Sequence, residues 1–201
     1  MYRDHPWPHS ITESGAGPHG WCTQLQARLD AACPGAHHVV VAGFGGRHSG
    51  ELLDRMGEHV LPHLPGVVLI ASGINDAYHQ EWQRIPRVSL GEFRRNLAEL
   101  VRIVQERGGQ AVLVAGHELR DRGIFKQGND RPQKENHAPY HAAIVALAPA
   151  LHVPLVNIAA AVCARGLDPA SLLADDGVHL SCCGHAAYAT IIADVLSSLL
   201  R

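Results

Sequence analysis

Near its C-terminus the chain reads Ala174-Asp-Asp-Gly-Val-His179-Leu-Ser181. A carboxylate three residues before an imidazole, with a glycine between them, can fold back in one tight loop. Asp176 would then take the N–H of one ring nitrogen of His179 and leave the other nitrogen free to act as a base. That is the orienting half of a Ser-His-Asp arrangement. Two other stretches offer hydrogen-bond donors for an oxyanion. Gly43, in Val41-Ala-Gly-Phe-Gly-Gly46, lets its backbone N–H approach a substrate oxygen with no Cβ in the way. Asn75, in Ser72-Gly-Ile-Asn-Asp76, can donate a second hydrogen bond to the same oxygen. One side-chain donor of this kind contributes about 3 kcal/mol to an acyl-transfer transition state.

These residues need a scaffold that gathers them, and the hydropathy pattern supplies one. Trp21, Leu25 and Leu29 recur at helical spacing from Trp21 to Ala32, and Pro34-Gly35 ends that run. His37 to Val41 is short, β-branched and followed by Gly43, the pattern of a buried strand. Ser49 is placed to cap a helix carrying Leu52, Leu53, Met56 and Val60. Gly66 to Ala71 is a second apolar strand that runs into Asn75. Ser89-Leu-Gly-Glu92 fits a capping box, and the stripe Phe93, Leu97, Leu100, Val101, Val104 marks a helix reaching Gly108-Gly109. Ala111 to Ala115 is a further strand. The polar segment Glu118 to Gln133 reads as a long surface loop of the kind that often carries function. A helix from His137 to Leu151, a strand from Val153 to Asn157 and a closing helix with Tyr188, Ile191, Ile192, Val195 and Leu199 complete the chain. Strand and helix alternate, so the class is α/β with a mainly parallel sheet and helices on both faces, in a single domain over residues 1–201. In such a sheet ligands bind beyond the carboxyl ends of the strands, where Gly43, Asn75 and the Asp176–His179 loop all fall.

Composition narrows the function classes. Of 201 residues 46% are hydrophobic and 18% charged, and the net charge is -2, so no field steers the chain toward nucleic acid or an anionic membrane. No apolar stretch approaches the ~20 residues of a membrane span, and residues 1–9 lack the apolar core of a signal peptide. Five cysteines, an odd number, read as reduced thiols and hence a cytoplasmic protein. The densest group of metal-ligating types is His179, Cys182, Cys183 and His185. Adjacent cysteines diverge too readily to share one tetrahedral ion, so no metal is assigned to it. A nucleotide-binding module is disfavoured because Gly43-x-Gly45-x-x-His48 breaks the dinucleotide fingerprint.

In order and spacing these stretches resemble the SGNH (GDSL-type) hydrolases. Ser10-Ile-Thr-Glu-Ser-Gly15 is similar to the first block and its nucleophile, Gly43 with its neighbours to the second, and Gly73-Ile-Asn75-Asp76 to the third. Asp176-Gly-Val-His179-Leu-Ser-x-x-Gly184-His185 is similar to the fifth and is the nearest match. Through Gly43-Phe44 and Asn75-Asp76-Ala77 the chain is most similar to the isoamyl-acetate-hydrolysing esterases. The resemblance implies a three-layer α/β/α sandwich of the flavodoxin-like SGNH kind and hydrolysis of small acyl esters through an acyl-enzyme. It assigns a Ser10–His179–Asp176 triad, with the Ser10 and Gly43 N–H groups and the Asn75 side chain as oxyanion hole. Asp176 rather than Asp175 has the family spacing. It implies no cofactor and a small-molecule ester as partner. The first block differs: Pro8-His9 stands where Gly-Asp is usual, and residues 1–9 with two prolines make a poor central strand. The first strand is therefore expected to be missing, to be replaced by an irregular segment, or to lie upstream of Met1. Two readings of Ser10 follow: a nucleophile, or the cap of a short helix through Glu13, which would leave a catalytically impaired or binding-only member of the same fold.

Overall fold

The computed structural model describes residues 11–120 and 127–200. In chain order the helices are α1 (Ile11–Gly15), α2 (Trp21–Ala32), α3 (Ser49–His59), α4 (Leu90–Glu106), α5 (Gln133–Ala150), α6 (Ile158–Ala164) and α7 (Cys182–Leu199). The strands are β1 (Val67–Ala71), β2 (Gln110–Ala115) and β3 (Leu155–Asn157), in the spatial order β1-β2-β3 and parallel throughout. Leu69 pairs with Val112 and Val114 with Val156.

Alternation along the strands builds two cores. Val68, Ile70, Ala111, Leu113 and Ala115 face one side and pack with α3, α4 and α5. Val67, Leu69, Val112, Val114 and Val156 face the other and pack with α2, α6 and α7. The result is the three-layer α/β/α arrangement. Helix α4 shows how the pattern pays for order: Phe93, Leu97, Leu100, Val101 and Val104 are all at most 2% exposed, each contributing about 1.5–3 kcal/mol by burial. The Ser89 side chain accepts the N–H of Glu92 and caps its start. Helix α7 is apolar enough over 18 residues to pass a membrane-span test by composition. Its face carrying Tyr188, Ala189, Ile191, Ile192 and Leu196 is instead core, packed on α2.

Three local expectations change. Residues 37–41 are not a strand: among the described residues they make no ladder bonds, and Val40 and Val41 are 43% and 37% exposed. Gln26 holds this stretch instead, its Nε2 donating to His37 O and its Oε1 accepting from Val39 N. Between it and β1 lies a cavity of about 690 Å³, lined by Val39–Val41 on one side and Val67–Ile70 on the other. Among the described residues β1 keeps its second edge unpaired. The expected first strand falls on residues 1–10, outside the described residues. Second, α3 starts at Ser49 with His48 as its N-cap, because the Ser49 hydroxyl is committed elsewhere. Third, α5 begins at Gln133, four residues before the position read from sequence, so the preceding loop is shorter.

Candidate active site

The loop around Asp176 is a closed hairpin. Leu173 and Leu180 form an antiparallel bridge, Ala174 N–H donates to His179 O at 2.8 Å, and Gly177 N–H donates to Ala174 O at 3.0 Å. Gly177 sits at φ +75°, a left-handed conformation that glycine adopts without strain and that turns the chain sharply enough for position 176 to face position 179. Asp176 Oδ1 accepts the N–H groups of Val178 and His179, both at 2.9 Å, and Oδ2 lies 2.5 Å from His179 Nδ1. Every Asp176 contact is an accepted bond, so Nδ1 of His179 is the donor to Oδ2 and, among the described residues, Nε2 has no hydrogen-bond partner. Burial pushes the Asp176 carboxyl up, but the His179 ring and the two backbone N–H groups outweigh it and hold the carboxyl below its usual range. Both side chains are about one-third exposed, 33% for Asp176 and 32% for His179, so a substrate can reach the ring. Asp175 is exposed and makes none of these contacts.

This loop rests on the segment that leaves β2. Arg120 N–H donates to Gly177 O at 2.9 Å. His117, 3% exposed, sets Nε2 2.8 Å from Val178 O and Nδ1 2.6 Å from the Tyr188 hydroxyl, which also accepts the His117 backbone N–H at 3.1 Å. Burial lowers the His117 pKa to about 4, with the bond to Val178 opposing. The loop therefore sits at the carboxyl end of β2.

The carboxyl end of β1, the neighbouring strand, carries the Asn75 stretch. Asp76 is fully buried and organises it: Oδ1 accepts from Ser49 N–H (2.9 Å) and Ser49 Oγ (2.5 Å), and Oδ2 accepts from Ser72 Oγ (2.7 Å) and Gly73 N–H (3.1 Å). Asn96 Nδ2 donates to Ser49 Oγ and ties α4 into the network. The Asn75 amide donates one N–H to Arg47 O at 3.1 Å, and its second N–H has no partner among the described residues. The turn carrying Gly43 closes against α1: an added Cβ at Gly43 would lie 2.4 Å from Thr12 Cγ2. Trp21 anchors the same corner, its Nε1–H donating to Ile11 O at 3.1 Å and its backbone N–H donating to His185 Nδ1 at 3.3 Å. Thus Ile11, the residue after Ser10, is tied through Trp21 to the first turn of α7 at His185, six residues after His179. Ser10 itself, as nucleophile or as cap, lies outside the described residues.

Asp176 with His179, Asn75 with the turn after Gly43, and the chain at Ile11 are therefore all held at one rim of the sheet. His117, Tyr188 and the Ser49–Asp76 pair escaped the sequence reading. For Asp76 the signal was its adjacency to Asn75; for His117 and Tyr188, far apart in the chain, none was present. Among the described residues no group of three or more His, Cys, Asp or Glu side chains is arranged to hold a metal, and Cys182 and Cys183 are exposed.

A parallel α/β/α sandwich with a carboxylate-oriented histidine at the strand ends is the architecture of an SGNH-type carboxylic ester hydrolase. The GDSL-like lipase/acylhydrolase family model matches residues 9–187, and the chain belongs to that family. No curated protein matches it in sequence. Among solved structures it is similar to an acetyl xylan esterase, AlAXEase, with a TM-score of 0.75 at 21% identity over 96% of both chains. It is also similar to the acetylxylan esterase Axe2 of Geobacillus stearothermophilus, with a TM-score of 0.70 at 23% identity over 96% of this chain and 87% of that one. A lipase/acylhydrolase of Enterococcus faecalis gives a TM-score of 0.69 at 23% identity, over 88% and 85%.

Proposed function

We propose that this chain is a serine esterase of small acyl esters, acetyl esters first among them, working through an acyl-enzyme. The observation that carries the reading is the Asp176–His179 contact, which fixes the tautomer a general base needs. Ser10 Oγ attacks the ester carbonyl while His179 Nε2 takes its proton, and Asp176 stabilises the imidazolium that forms. The N–H groups of Ser10 and Gly43 and the free N–H of Asn75 receive the oxyanion. His179 then protonates the leaving alcohol, and a water activated by the same nitrogen releases the acid. Two similar structures are named acetyl xylan esterases, which supports acetyl as the acyl group and adds acetylated sugars to the substrates worth assaying. A cytoplasmic site of action is part of the reading and is checked by cell fractionation.

The test is p-nitrophenyl acetate hydrolysis by the wild type, Ser10→Ala and His179→Ala. Loss of activity in both variants is the expected result. The second reading is a binding-only member of the same fold, which Pro8-His9 in place of the usual Gly-Asp before Ser10 leaves open. A wild type no faster than its Ser10→Ala variant would establish that reading and end the first.

A further inference from the structure

The two peptide groups that carry the candidate base are each gripped at both ends. In the Gly177–Val178 peptide, the C=O accepts from Arg120 N–H and the N–H donates to Asp176 Oδ1. In the Val178–His179 peptide, the C=O accepts from His117 Nε2 and the N–H donates to the same Asp176 oxygen. Asp176 thus holds the N–H poles from within the loop, and the segment after β2 holds the C=O poles from outside it. Three of these four contacts involve Asp176 or the backbone of Arg120. The fourth is made by a single side chain, His117.

Its tautomer follows from the bonds. The Tyr188 hydroxyl accepts the backbone N–H of His117, so its own proton is free to point at Nδ1, 2.6 Å away. Nδ1 is then the acceptor and Nε2 the donor, which is what the Val178 carbonyl requires. Both ring nitrogens are consumed, and the residue is 3% exposed, so His117 cannot touch a substrate.

We propose that His117, locked by Tyr188, is a positioning residue for the base: by fixing the Val178 carbonyl it sets the peptide from which the His179 ring projects toward the nucleophile. The proposal rests on His179 acting as base, as argued above. Among the described residues the charged and titratable groups facing His117 are His179, Asp176, His141, His137 and Tyr188. Burial and the His179 and His141 imidazoles keep its ring neutral against the pull of Asp176 and of the Val178 carbonyl, which preserves the Nδ1 lone pair that Tyr188 needs. The arrangement resembles the partners that orient metal-binding histidines through their second nitrogen, here applied one peptide away from the base.

The experiment compares His117→Leu, which keeps bulk and removes the donor, with His117→Gln, which returns an amide N–H at similar reach, and Tyr188→Phe, which removes the lock. Two readouts are taken on folded protein well below each melting midpoint: kcat and KM for p-nitrophenyl acetate, and the NMR resonance of the Nδ1 proton shared by His179 and Asp176. For His117→Leu the expected result is a kcat about 10- to 100-fold lower, the scale of a small misplacement of a catalytic group. KM should stay within about twofold, and the shared-proton resonance should broaden or disappear. His117→Gln should recover at least tenfold of a 100-fold loss, and Tyr188→Phe should fall between them. A His117→Leu protein that melts lower yet keeps wild-type kcat and an unchanged resonance would reduce His117 to core packing and overturn the proposal. If His117→Leu does not fold, the Tyr188→Phe and His117→Gln resonances decide the matter in the same sense. Should the wild type hydrolyse no ester, the esterase reading fails alone. The resonance still decides the positioning role: its loss on removing the donor upholds it, and its persistence overturns it.

Discussion

Asp76→Asn is an almost isosteric change that should cost this protein a large part of its stability. The carboxylate is fully buried and is met by four donors, two of them backbone N–H groups that cannot turn away: Ser49 N–H on Oδ1 and Gly73 N–H on Oδ2. An asparagine offers one oxygen and one NH₂. If the NH₂ takes the Oδ2 position, the Ser72 hydroxyl can rotate and accept from it, but Gly73 N–H then faces another donor. If it takes the Oδ1 position, Ser49 N–H is the one opposed, and Ser49 Oγ already accepts from Asn96. Either way one buried N–H is left unpaired, at about 1–3 kcal/mol, and the surviving bonds lose their charge assistance, at about 1 kcal/mol each. The sum is about 3–5 kcal/mol, against the 5–15 kcal/mol that typically separates folded from unfolded states. With a urea m-value of about 2–3 kcal/mol/M, the unfolding midpoint should fall by about 1–2.5 M. A midpoint lowered by less than about 0.3 M would mean that the network accommodates the amide and that the donor geometry around Asp76 has been misjudged.

Acid should unfold the protein early, and the sign is fixed by two buried imidazoles. Burial lowers both His117 and His137 to about 4, below the ~6.5 of an unfolded histidine, so the unfolded chain takes up protons that the folded one refuses. Stability is full above pH ~6.5 and is lost as pH falls toward 4, by up to about 3 kcal/mol for each histidine. A thermal midpoint that stays flat from pH 7 to 4.5 would contradict that burial. Gly43→Ala places a methyl 2.4 Å from Thr12 Cγ2 and 2.5 Å from Thr12 Cβ. It should push α1 off the Gly43 turn, costing about 1–3 kcal/mol, and adding Thr12→Ala should not restore it because the Cβ clash remains. Urea melts of the single and double variants check this.

The layers were legible because they follow from burial. The 3.6-residue stripe of α4 and the apolar runs of β1 and β2 have one physical solution, a helix face or a strand buried on a core. Residues 37–41 have the same composition as a strand and pair with none of the described residues, because pairing depends on what lies beside a segment and not on the segment itself. The site was legible where its parts are close in sequence. Asp176 and His179 are three residues apart, and their contact follows from one turn around Gly177. The supports were not: His117 meets Tyr188 across 71 residues, and Ser49 meets Asp76 across 27, partnerships that only the closed fold creates.

Those supports explain how two loops of different origin can share one geometry. The Asn75 side is wired from the end of β1, through Ser72, Gly73 and Asp76 to the start of α3. The His179 side is wired from the end of β2, through His117 and Arg120 to the Asp176–His179 loop. Among the described residues neither set of buried bonds touches the other, so their relative position is set by the strands beneath them. β1 and β2 pair in continuous register from Val67 with Gln110 to Ala71 with Val114, and adjacent strands stand about 4.8 Å apart. A ladder that short and fully paired cannot slip by one residue without turning Ile70 and Leu113 out of their core onto the opposite face. The hydrophobic register of two strands thereby sets how the Asn75 stretch stands relative to the Asp176–His179 loop, while the polar network on each side fixes only orientation.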